Sequence, residues 1–135
     1  MLKYCEIIKI TLFPNSSSRA SLSLTGLFET LEKIRSKPGM YIGRFSVSDL
    51  FMFLVGYEFA RSELGIEPTK EEDDFYGEFQ PWLQERFGIM TVSSWAKLIL
   101  LDCHDEKAGF EYFFKLLDEF RQRHGKKVIF QQSCS

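Results

Sequence analysis

Carboxylates crowd one stretch of this chain. Glu67, Glu71, Glu72, Asp73, Asp74 and Glu78 fall in or beside the segment EPTKEEDD, with Tyr76 among them. Residues 58–85 hold nine acidic against two basic side chains, a local charge of −7, although the 135-residue chain, with 17 Lys+Arg and 19 Asp+Glu, carries only −2. Concentrated negative charge projects a potential that a basic protein face can meet by complementarity. The plainer alternative is a solvated loop that keeps the chain soluble. Calcium is not indicated, because the alternating Asp spacing and glycine of an EF-hand loop are missing.

A second constellation, Asp102-Cys103-His104-Asp105, contains the residue types of a nucleophilic site. Sequence neighbours at a helix end do not face one another as nucleophile and base must. The acids therefore read as caps and Cys103 as a small apolar filler, and no catalytic residue is assigned. Cys5, Cys103 and Cys134 form an odd set without CxxC spacing, so neither a disulfide framework nor a metal site is expected, and no cofactor is implied. A reduced, cytoplasmic setting is the simplest expectation. Near-neutral net charge argues against general nucleic-acid binding. The longest apolar run, Leu50 to Tyr57, is too short to span a bilayer. Lys3, Glu6 and Lys9 interrupt what a signal peptide would keep apolar.

The elements that must position these residues read as helices. Residues 1–23 form an expected leader, an edge strand or extended arm followed by a Ser-rich linker at Asn15 to Ser23. From Thr25, a plausible cap, Leu27, Phe28, Leu31 and Ile34 follow helical spacing until Pro38. Ser46, with Asp49 three residues on, starts a second helix that is apolar on nearly all sides from Leu50 to Ala60 and is expected to be the most buried. The acidic stretch is expected to be a loop, and Pro81 to sit in the first turn of a third helix starting near Gln80 and carrying Phe79, Trp82, Leu83 and Phe87. Ser93 or Ser94 caps a fourth, with Trp95, Leu98 and Ile99 inward and Leu100 and Leu101 broadening that face. Asp105 caps a fifth, with Phe110, Phe113, Phe114, Leu117 and Phe120 on one stripe. Arg121, Arg123, His124 and Gly125 have the composition of its end, leaving residues 126–135 as a tail. Between the first two helices, Pro38 and Gly39 suit the central positions of a type II turn, with Met40 to Ile42 extended and Gly43 reversing the chain.

The segment Ile34 to Gly43, IRSKPGMYIG, resembles the RPGMYIG segment near the start of the ATPase domain of type II topoisomerases of the gyrase kind. That resemblance is confined to the segment: the next helix lacks the family's Glu-x-x-x-Asn series, and neither DxGxG nor a later glycine-rich lid is present. Over residues 24–124 the order of pieces is similar to a small family of uncharacterised bacterial proteins. Those proteins join a [K/R]PGMYIG turn, a GYxxA-like segment (Gly56 to Ala60), FxxWLxERFG (Phe79 to Gly88), SWAxLIL (Ser94 to Leu100) and FFxLLDEF (Phe113 to Phe120). The resemblance implies toxin–immunity neighbourhoods, in which small acidic proteins neutralise a cognate toxin, and carries no site residue with it.

The expectation is thus one all-α domain, a compact bundle of about five helices over residues 24–125. Its expected function is that of a non-enzymatic protein-binding module, in the sharpest form an immunity protein that meets a basic toxin domain through Glu71, Glu72, Asp73, Asp74, Tyr76 and Glu78. The alternative is a small-ligand binder or enzyme with a pocket near Tyr41, Arg44 and His104. A homo-oligomer is a third reading, which exposed apolar residues would favour.

Overall fold

The computed structural model describes residues 26–90 and 93–133, with side chains through Arg123. Among these residues every regular element is a helix: α1 (Leu27–Ser36), α2 (Pro38–Tyr41), α3 (Val47–Glu63), α4 (Lys70–Phe87), α5 (Trp95–Cys103) and α6 (Glu106–Ser133). The all-α expectation holds, with one short helix more than the five expected. No helix of the described residues is long and apolar enough to cross a membrane. The chain divides into two compact units, Met1–Leu31 and Glu32–Ser135. Of the first, only residues 26–31 are described, where Leu27 and Leu31 are fully buried. The leader and the Thr25 cap lie outside the described residues.

In the second unit α5 packs against α3, α4 and α6, and α3 packs against α6. The α6 stripe is buried as its period requires: Phe110, Phe113, Phe114, Leu117 and Phe120 all lie in the core, joined by Leu116. Phe79 of α4 meets Phe113 edge-on at 5.7 Å and Phe120 at 5.3 Å, while Trp95 of α5 stacks on Phe113 at 4.7 Å. Such pairs add about 0.5–1.5 kcal/mol each beyond the area they bury, and their angles fix how three helices mesh. Trp82 is half-buried against Phe79 and Phe120, with the Arg86 guanidinium 5.5 Å above its ring.

The starts of α3 and α6 are bound to each other by one carboxylate. Glu106 Oε2 accepts from the Ser46 hydroxyl (2.9 Å) and the Ser48 N–H (3.0 Å), and Oε1 accepts from the Ser48 hydroxyl (2.6 Å). Burial alone would raise the Glu106 pKa, but the Ser48 and Ser46 bonds outweigh it and hold the carboxyl below its ordinary value. One turn further on, Gly109 faces Val47 so closely that an added Cβ would lie 2.8 Å from Val47 Cγ1 and 3.3 Å from its Cβ. The two helices approach to a distance that only hydrogen at Cα permits.

Several expectations are corrected. Pro38 and Gly39 do not form a type II turn: residues 38–41 make one helical turn, closed by the Ile42 N–H donating to the Pro38 carbonyl (2.9 Å). Proline at N1 is pre-set for helix and its missing N–H costs nothing there. Met40 is exposed, not laid over the core, whereas Gly43 does reverse the chain with φ +82°. The α3 helix is not the most buried: Val47, Leu50 and Leu54 face the core while Met52, Val55 and Phe59 face outward. The acidic stretch is not a loop, because Thr69 and Glu72 form a capping box that starts α4 eleven residues before Pro81. The helix passes through Pro81, whose ring nitrogen cannot donate to the carbonyl of exposed Gly77. Leu101 is exposed, and α6 runs on through Gly125 to Ser133. A single mid-helix glycine costs only about 1 kcal/mol relative to alanine, too little to stop a helix by itself.

Two measurements test this junction. Gly109→Ala, which gains helix propensity, is expected to destabilise the fold by about 1–3 kcal/mol in urea titration through overpacking on Val47, and Val47→Ala in the same chain to recover part of the loss. Glu106→Gln is expected to lower the melting temperature at pH 7. A depressed carboxylate pKa contributes stability that is complete above the unfolded value near 4.5 and is lost as pH falls through the lower folded value. The gap between the two proteins should therefore narrow progressively as pH falls below 4.5.

Candidate functional site

The acids of residues 67–78 separate by position once Thr69 starts a helix. Successive residues advance about 100° around it, so neighbours in sequence point to different surroundings. Glu72 turns inward and is only 2% exposed. Its carboxylate accepts the Thr69 N–H (2.9 Å) and two bonds from Arg61, Nη1 to Oε1 and Nη2 to Oε2, both 3.2 Å. Arg61 Nη1 also donates to the Tyr57 hydroxyl (2.7 Å). Burial alone would lower the Arg61 pKa, but Tyr57 and Glu72 outweigh it, so the guanidinium stays charged. This buried, bidentate pair ties the end of α3 to the start of α4, and it removes Glu72 from the set of groups a partner could touch.

Asp74 receives Arg123 Nη2 at 2.7 Å, and Glu71 lies 3.5 Å from Arg121 Nη2. Both are occupied by arginines in the middle of α6, the Glu71 pair at a well-exposed position. Asp73, Glu78, Glu67 and Glu58 have no ion-pair partner among the described residues and stand exposed. Glu58, Glu67 and Asp73 border an open cavity of about 290 Å³ between the end of α3, the linker through Pro68 and the first turns of α4. Tyr76 lines the same cavity, with its pKa pushed up by burial and then by the charges of Glu58 and Glu72, so its phenol stays neutral. The cavity, whose wall also holds the Arg61 guanidinium engaged by Glu72, thus presents carboxylates, a neutral hydroxyl and an aromatic face. Those are the groups that hold a cationic side chain, by charge and by the ring quadrupole.

Of the expected contact residues, Asp73 and Tyr76 line this cavity, Glu78 stands exposed outside it, and Glu72 is structural. Glu58 and Arg61 were not assigned from sequence. Glu58 reads there as the lone charge of an apolar helix, and nothing local marks Arg61 as the partner of a residue 11 positions away.

The alternative pocket does not assemble from its proposed members. Arg44 Nε donates to Asp49 (2.7 Å), Tyr41 is partly exposed, and His104 caps the end of α5 with φ +60°. Neither the acidic cavity nor a groove beside the start of α5 is lined by any of the three. Burial and then the charges of Asp102 and Asp105 push the Cys103 thiol up, the opposite of what a nucleophile needs. Asp105 accepts the Ala108 N–H at 2.8 Å and caps α6. Among the described residues, no group of three or more His, Cys, Asp or Glu could hold a metal ion.

Glu72→Ala is expected to cost about 2–4 kcal/mol in urea titration, since it removes the cap and leaves Arg61 half-buried without its carboxylate. Glu71→Ala, one position away, should change stability by less than about 0.5 kcal/mol. Comparison with protein-family models, with curated proteins and with solved structures yields no match to this chain.

Proposed function

We propose that this protein is a non-enzymatic protein-binding module whose partner is a basic protein face, received at the cavity bordered by Glu58, Glu67 and Asp73. The observation that carries the reading is the division of labour among the acids. Glu72 is taken up by Arg61 and Asp74 by Arg123, while Glu58, Glu67 and Asp73, which border the cavity, have no counter-ion among the described residues. Carboxylates held close together without internal partners raise the local negative potential, which speeds encounter with a cationic partner. A lysine or arginine side chain entering the cavity would find Asp73 and Glu67 at its rim and Tyr76 alongside. The finer reading, neutralisation of a bacterial toxin by an immunity protein, is supported by the acidic charge and the small size of the domain. In that role the module would cover a basic active-site face and need no chemistry of its own.

The test is affinity capture from a host lysate at low and high salt, with the wild-type chain beside a Glu58→Lys/Glu67→Lys/Asp73→Lys variant. A basic chain retained by wild type at low salt, released at high salt and absent from the variant is the expected result. Its association with the purified variant should be slower by at least about tenfold. Capture of the same chains by both proteins would sink the assignment of the cavity.

A further inference from the structure

On the side of α3 away from the core, Asp49, Met52, Gly56, Phe59 and Glu63 follow one another down one face, three or four residues apart. Met52 is 63% exposed, Phe59 57% and Val55 44%, and Gly56 and Ala60 are exposed between them. A Cβ at Gly56 would meet nothing within 4 Å. The helix thus presents large apolar side chains around a low centre, with an acid at each end.

We propose that this face pairs with the same face of a second copy, the two α3 helices running antiparallel about a two-fold axis at Gly56. The charges fit a second copy and choose its direction, since the antiparallel pair gives each pair of carboxylates an arginine and the parallel pair leaves one without. A parallel pair would set Glu63 against Glu63 and Asp49 against Asp49. In the antiparallel pair, residues equally far from Gly56 on opposite sides come level, so Glu63 of the second copy lies beside Asp49. Asp49 is not a bare charge there: Arg44 Nε donates to it at 2.7 Å, and the Arg44 side chain is 71% exposed, leaving its terminal nitrogens for a second carboxylate. Each end of the interface then carries an Asp49–Arg44–Glu63 triad, twice by symmetry.

Shape agrees with charge. A groove of about 570 Å³ lies between the starts of α3 and α5, lined by Ser48, Phe51, Met52, Ala96 and Lys97. Ser48, Met52, Val55 and Phe59 form a single row along α3. The two-fold lays row against row, so that Phe59 of the second copy comes level with Phe53 on the flank where the groove lies. Phe59 thus has a receptacle on the other copy, as an isologous contact demands, and Gly56 lets the backbones approach at the axis.

Sedimentation equilibrium of the full chain over micromolar to submillimolar concentrations should show the mass move from one chain toward two. Met52→Glu/Phe59→Glu, with both changes at exposed positions, should weaken the association at least about tenfold with the helical circular dichroism retained. As a second measurement, Gly56→Cys in a chain with the three native cysteines changed to serine should form a disulfide-linked dimer faster than a Glu111→Cys control. A wild-type chain that stays monomeric throughout, a dimer that persists in the double variant, or a Gly56→Cys chain that links no faster than the control would each overturn the proposal. Loss of lysate partners through the acidic-cavity variant leaves this measurement unchanged, so the two readings fail separately.

Discussion

At the start of α6 a glycine lets two helices meet closely, with the Val47 side chain of one laid directly on the backbone of the other. Gly109 lies against Val47, and one turn earlier Glu106 is bound by the hydroxyls and backbone of Ser46 and Ser48. The contact sets both the distance and the register of α3 on α6. Phe110, Phe113 and Phe114 follow within the next turns of α6, so their depth in the core is inherited from that approach. The edge-on and stacked rings that join α4 and α5 to Phe113 depend on it in turn. A carboxylate is a suitable clasp because it accepts several bonds at once, and here the two chain segments it joins are separated by nearly half the sequence.

A second clasp of the same kind sits at the opposite end of α3. Glu72 caps its own helix and grips Arg61, so both ends of α3 are held by a carboxylate from another helix. In each case an acid that composition would count as surface charge is consumed by architecture. What is left for a partner is the remainder, and in this chain Glu58, Glu67 and Asp73 of that remainder border a cavity.

The fold class is legible because apolar spacing near 3.6 residues recurs along the chain, and α6 repeats it without interruption from Phe110 to Phe120. The caps at Ser46, Ser94 and Asp105 are legible for the same reason, since each acts within its own turn. Pairings across long separations, such as Glu106 with Ser46 or Arg61 with Glu72, leave no such local mark. Apolar content also misleads at α3: a helix apolar all round is expected inside, and no pattern within α3 distinguishes an inward Leu54 from an outward Phe59 when its neighbours decide which side is covered. The acidic stretch reads as a loop only if Pro81 is given more weight than the Thr69-x-x-Glu72 box, and a helix whose start is capped and whose inner face is buried can absorb the one bond that proline removes.

Pro81 leaves its own mark on mechanics. It cannot donate to the carbonyl of Gly77, so α4 lacks one rung between the half that carries Asp73 and Tyr76 and the half that carries Leu83 in the core. A helix missing a rung bends there more readily than an unbroken one. The missing rung lies beside Phe79 and one turn beyond Phe75, both buried in the core, so the acidic half stays seated on those rings and the added compliance is confined to the turn from Gly77 to Pro81.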